Sequence, residues 1–134
     1  MNAILAIFFF AAVLSAGPVV INEIHYAPAD KTVREALVEL YNSSEGVVDV
    51  SGWSITGGVK YVFPAGTSIN PGAFLVIAQD PAVLAARFGG VAALGPFTGR
   101  LGTDGETLVL RDAAGIRRDE VDYRRGFPWP TAGG

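Results

Sequence analysis

The chain has 134 residues, half of them apolar, with 17 Gly, 8 Pro, a formal net charge of −3 and no cysteine. That length holds one ordinary domain, and the near-neutral balance gives no chain-wide field for nucleic acid or an acidic surface. The lack of cysteine rules out thiol catalysis, Cys-ligated zinc, iron–sulfur clusters and disulfide staples.

Residues 1–16 read as a secretory signal peptide. Ala3 to Leu14 is a 12-residue apolar run, followed by Ser15-Ala16-Gly17 and then Pro18. This matches an h-region and a small-residue cleavage zone, and it falls short of the ~20 residues of a membrane span. Cleavage after Ala16 puts Leu14 at the −3 position, and the n-region, Met1-Asn2, has no Lys or Arg. A secreted, periplasmic or cell-surface location follows, with no stable membrane span once the signal is removed. All charged side chains lie at or beyond Glu23.

Val19 to Tyr26 predicts a first strand, ended by Pro28, and Ala29 to Glu35 a polar loop. Ala36 to Asn42 predicts a second strand, with Leu37, Glu39 and Tyr41 on one face and Val38 and Leu40 on the other. Val47 to Val50 and Trp53 to Thr56 are short strands. Gly57-Gly58 signals a hairpin, because two-residue turns need positive φ. Val59, Tyr61 and Phe63 then alternate onto one face. Asn70-Pro71-Gly72 is a turn with Pro presetting φ and Gly in the left-handed position. Ala73 to Gln79, the most apolar segment after the leader, predicts a central strand.

Asp80 can cap a short helix, Pro81 suits its first turn and Gly89 can end it. Leu84 and Phe88, four apart, are expected to dock one face on a sheet. Residues 90–105 read as a Gly-rich loop. Glu106 to Asp112 and Ile116 to Tyr123 form a last pair of strands around Asp112-Ala113-Ala114-Gly115, with Leu108 and Leu110 inward and Val121 and Tyr123 sharing a face. Trp53, Phe63, Phe74 and Phe88 are expected in the core. Residues 126–134 form an extended tail. About eight short strands and one helix predict an all-β, immunoglobulin-like antiparallel β-sandwich with one short helix.

Little in the pattern carries chemistry. His25, the only histidine, shares a strand face with Glu23, but a triad or zinc site needs further partners at set spacings. Glu23 and Glu39 could form a carboxylate pair of glycosidase type; hydrogen bonding to loop backbone, Asn22 or Asn42 is the simpler reading. Asp30, Asp49, Asp104 and Glu106 offer oxygens for calcium, yet no Asp-x-Asp-x-Asp-Gly loop is present, which favours turn capping. Ser43, Ser44 and Ser51 lack a nucleophile elbow. Arg117, Arg118, Arg124 and Arg125, with Phe127 and Trp129 beyond, could hold phosphate and stack bases. The interleaved Asp119, Glu120 and Asp122 instead suggest a solvated hairpin edge that resists edge-to-edge pairing. The residues predict no catalytic, cofactor or metal site.

Seven segments in order carry a resemblance: Val20-Ile21-Asn22-Glu23-Ile24, Leu37-Val38-Glu39-Leu40-Tyr41-Asn42, Asp49-Val50-Ser51-Gly52-Trp53, Phe63-Pro64-Ala65-Gly66-Thr67, Pro71-Gly72-Ala73-Phe74-Leu75-Val76-Ile77, Gly105-Glu106-Thr107-Leu108-Val109-Leu110-Arg111-Asp112 and Asp119-Glu120-Val121-Asp122-Tyr123. Over residues 18–125 the chain resembles the lamin tail domain family in its bacterial, secreted form. The resemblance implies an immunoglobulin-like sandwich with no activity of its own; the first expectation is a binding or scaffolding module for a protein or cell-surface component, contacted through the loops at the sandwich ends and the Gly-rich 89–105 segment. It also implies an accessory role in exported multidomain proteins, beside hydrolases, nucleases or spore-coat-type kinases; a nucleic-acid-binding module is the third reading. The heptad rod of nuclear intermediate filaments is absent, so a filament role does not carry over. Only four residues follow Pro128-Trp129-Pro130, where similar bacterial chains continue, so a truncated product or a fragment of a longer reading frame is expected.

Overall fold

The computed structural model describes residues 17–25, 34–90, 92–102 and 105–124. The predicted signal, the tail and the loop over 26–33 lie outside these residues. The strands, in chain order, are β1 (Val19–His25), β2 (Leu37–Asn42), β3 (Val48–Asp49), β4 (Ser54–Thr56), β5 (Val59–Val62), β6 (Ser68–Ile69) and β7 (Phe74–Ala78). A helix, α1 (Pro81–Arg87), precedes β8 (Thr98–Gly99), β9 (Gly105–Arg111) and β10 (Arg117–Arg124). One sheet runs β1-β2-β7, a second β10-β9-β4-β5-β8, and β3 pairs with β6. All strand pairs are antiparallel. The two larger sheets enclose the core, giving the expected immunoglobulin-like sandwich; the strands beyond the expected eight are the two-residue pieces β6 and β8.

Alternation builds that core. Val19, Ile21 and Ile24 of β1, Val38 and Leu40 of β2, and Ile77 of β7 point inward from the small sheet. Ile55, Val59, Phe63, Leu108, Leu110, Val121 and Tyr123 meet them from the other side. Each fully buried aliphatic or aromatic side chain contributes about 1.5–3 kcal/mol, and with no disulfide this burial is the main force holding the domain. The Gly57-Gly58 hairpin forms between β4 and β5. Gly57 has φ 135°, and a Cβ there would run into the Thr107 carbonyl oxygen, so the turn needs glycine for both reasons. The Asn70-Pro71-Gly72 turn closes with the Ala73 N–H on the Asn70 carbonyl at 3.0 Å.

Four expectations fail. β7 is an edge strand, not a central one: β2 pairs with it on one side, and the other is covered by a parallel bridge from Leu94 to Ile77 and a bond from the Phe97 N–H to the Ala78 carbonyl at 3.2 Å. Phe74, on the outer face, is 54% exposed. Phe88 is also 54% exposed because it is the C-cap of α1, where the backbone leaves the helix; Leu84 alone docks the helix. Residues 90–105 are more than a loop, since Phe97 and Leu101 insert into the core. The helix otherwise starts as expected, with the Asp80 carboxylate accepting from the Val83 N–H at 3.2 Å. Its last residue, Arg87, approaches the buried Glu35 carboxylate at 3.0 Å, an ionic contact without hydrogen-bond alignment.

Two polar side chains are built into the interior. Asn42, fully buried at the end of β2, satisfies its whole amide. Its Nδ2 donates to the Gly46 and Ile69 carbonyls, both at 2.8 Å, and its Oδ1 accepts from the Ser44 N–H at 2.9 Å and hydroxyl at 2.7 Å. Asp119, 5% exposed, lies where β10 meets β1, and its Oδ2 accepts from the Ile21 N–H at 2.7 Å. That bond ties the edge of one sheet to the edge of the other. Just before β1, Gly17 packs on Arg118 at the start of β10.

Candidate functional site

The outer face of the small sheet brings together three of the residues that the sequence singled out, Glu23, His25 and Glu39. β1 and β2 stay in register from Val19↔Asn42 to Ile21↔Leu40, then shift so that Glu23 faces Glu39 and His25 faces Leu37. The shift leaves Asn22 as the extra residue of a β-bulge, and bulges re-aim side chains. Asn22 Nδ2 accordingly donates to Glu39 Oε1 at 2.8 Å. β7 extends the rows: Tyr41 faces Phe74, Glu39 faces Val76, and Leu37 faces Ala78. Three rows result: Val20, Tyr41 and Phe74; Glu23, Glu39 and Val76; and His25, Leu37 and Ala78. The Tyr41 and Phe74 rings lie 4.8 Å apart at 35°.

Partial burial pushes the Glu39 carboxyl above its ordinary value; the Asn22 hydrogen bond pulls it down and the Glu23 charge pushes it up further. A raised folded value means that Glu39 favours the fold below about pH 4.5 and that this contribution is lost as pH rises through the raised value. Glu39→Gln keeps an acceptor for Asn22 and removes the charge. Because solvent screens this face, the expected gain at pH 7 is small, on the order of 0.5 kcal/mol, and vanishes near pH 3. Urea midpoints at the two pH values measure it; a variant clearly weaker at pH 7 contradicts the assignment.

Among the described residues no hydrogen bond or ion pair joins His25 to either glutamate, and one oxygen of Glu39 accepts from Asn22. No group of three or more His, Cys, Asp or Glu able to hold a metal occurs among the described residues. Asp49 accepts from the Ser51 N–H at 2.9 Å, as turn capping requires. Glu106 accepts from the Gly102 N–H and the Tyr123 hydroxyl, both at 3.2 Å. Asp30 and Asp104 lie outside the described residues. Ser43 donates to the Pro18 carbonyl, Ser44 to Asn42, and the Ser51 hydroxyl accepts from the Gly66 N–H.

Among the described residues, Arg117 and Arg118 are each paired with a carboxylate. Arg118 grips Asp112 through Nε at 2.8 Å and a terminal nitrogen at 2.7 Å, and its guanidinium lies 5.9 Å from the centroid of Trp53. Arg117 pairs with Glu120 at 3.3 Å. The Arg124 side chain, Arg125, Phe127 and Trp129 lie outside the described residues. Asp119 corrects the reading of a wholly solvated acidic edge, since it faces inward while Glu120 and Asp122 are exposed. Sequence reasoning passed over Asn42 and Asp119 as interior groups although the signal was present: Asn42 shares parity with Val38 and Leu40, and Asp119 with Val121 and Tyr123.

Among the described residues no helix is long and apolar enough to cross a membrane. A family model described as Lamin Tail Domain matches residues 13–125. No curated protein matches the chain.

Proposed function

This chain belongs to the lamin tail domain family, and from that membership we propose that it is a noncatalytic binding or scaffolding module working outside the cytoplasm. Its partner is a protein or a cell-surface component, contacted through the outer face of the β1-β2-β7 sheet. One observation carries the reading: this face sets an exposed aromatic, Phe74, against Tyr41 beside two cross-strand carboxylates. Exposed apolar side chains grouped with polar neighbours mark contact surfaces more often than isolated ones do. Three of the carboxylates weighed for chemistry accept local hydrogen bonds, Glu39 from Asn22, Asp49 from Ser51 and Glu106 from Gly102. Export rests on the apolar run from Ala3 to Leu14.

Two measurements test the proposal. The full chain, expressed and fractionated, should be recovered outside the cytoplasm with its N-terminus at Gly17; cytoplasmic protein with an intact Met1 overturns the export. Phe74→Ser, at an exposed site and so within about 0.5 kcal/mol of the parent in stability, should lower the share of protein retained on washed cell envelopes. Retention equal to the parent overturns the use of this face.

A further inference from the structure

Resting on that reading of the face, we infer that its occupant is an extended cationic peptide segment of a partner protein, with a Lys or Arg flanked two residues away on each side by apolar side chains. The first ground is charge. Glu23 and Glu39 stand directly opposite one another, an arrangement that destabilises a strand pair. Among the described residues the face supplies no lysine or arginine to relieve it: around the pair are Val20, Leu37, Tyr41, Phe74, Val76, the buried Ala78 and the single His25. The ion pairs among the described residues all lie elsewhere, at Arg87 and Glu35, Arg117 and Glu120, and Arg118 and Asp112. Asn22 engages one oxygen of Glu39, which leaves the other oxygen and the whole Glu23 carboxylate for a ligand.

The second ground is spacing. Leu37, Glu39 and Tyr41 alternate along one strand and so stand about 7 Å apart on this face. An extended peptide laid alongside repeats its own side chains at the same interval. A residue over Glu39 then has its neighbours two positions away over the Leu37 row and the Tyr41–Phe74 row. A cation in the middle meets two carboxylates, and an arginine there also reaches the Tyr41 ring face for a cation–π contact. Apolar residues on either side meet Leu37 and the Tyr41–Phe74 pair. An acidic peptide or a nucleic-acid backbone would bring negative charge onto the carboxylates, so neither fits.

The test uses a defined probe on the isotopically labelled full chain: the capped peptide Ser-Leu-Ser-Arg-Ser-Leu-Ser, titrated and followed by amide chemical shifts. Shifts should concentrate at residues 20–25, 37–41 and 74–78. Replacing the peptide's arginine by glutamine, adding 0.5 M salt, or using the Glu23→Gln/Glu39→Gln protein should each weaken binding about fivefold. Equal binding of the glutamine peptide at these residues overturns the cationic partner and leaves the face as a binding surface. No shift at millimolar peptide, or shifts centred elsewhere, overturns the inference, while envelope retention of Phe74→Ser judges the broader reading separately.

Discussion

Asn42→Ala should lower the stability of the domain by about 4 kcal/mol, a large share of the 5–15 kcal/mol that holds a typical domain. The side chain is a fully satisfied four-way junction with no access to water. Stranding the Ile69 carbonyl, acceptor of the one fully buried bond, costs about 1–3 kcal/mol, and each of the three part-buried bonds contributes up to about 1 kcal/mol net. The Asn42 backbone adds to the junction, because its N–H donates to the Ala73 carbonyl and its carbonyl accepts from the Gly72 N–H. Asn42→Asp makes the test specific. It keeps the acceptor for Ser44 but turns oxygen toward the Gly46 and Ile69 carbonyls, so it should be at least as damaging as alanine. Urea unfolding at pH 7 measures both. A loss under about 1 kcal/mol for Asn42→Ala would show that the junction is packing alone.

Asp119 should separate charge from hydrogen bonding. Burial pushes its carboxyl above the usual carboxylate range; the N–H groups of Ile21 and Glu120 pull it back, and the Glu120 charge adds to the rise. With a raised folded value, Asp119 favours the fold most below about pH 3.8, and this contribution falls away as pH rises through the folded value. Asp119→Asn keeps an oxygen for the Ile21 N–H and removes the cost of a buried charge. It should match or exceed the parent at pH 7 and flatten the stability curve between about pH 4 and 7. Asp119→Ala strands the Ile21 N–H and should cost about 2–3 kcal/mol near pH 4, a cost that shrinks toward pH 7 because the buried charge goes with the side chain. Thermal melts over this range decide the matter; asparagine as damaging as alanine would mean that the negative charge itself holds the sheets together.

These two residues also mark where sequence and structure part. Turn chemistry was legible: Gly57-Gly58, Asn70-Pro71-Gly72 and the Asp80 cap sit where local backbone rules put them, because each depends on only a few neighbouring residues. Strand faces were legible too, since alternation assigns Val38, Leu40, Leu108, Leu110, Val121 and Tyr123 inward. What alternation does not encode is which strand lies alongside. Ala73 to Gln79 is apolar enough for a sheet centre, yet it lies at an edge, and Phe74 looks outward. Polarity misled at the interior: Asp119 reads as a surface charge among arginines until its inward parity is matched with the Ile21 N–H of a strand 98 positions away. Of the proposed contact face, Glu23, Glu39 and Tyr41 were visible as residues. Their apposition was not, because the one-residue slip at Asn22 sets which β1 side chain faces Glu39.

The packing of Gly17 on Arg118 has a mechanical consequence. The described chain enters beside the start of β10, and β10 runs on to Arg124, about 20 Å away at strand spacing. The described residues therefore begin and end at opposite ends of β10. Tension applied through the chain's two flanks would act along β10, loading the β9–β10 ladder in shear, with its bonds sharing the force instead of opening one at a time.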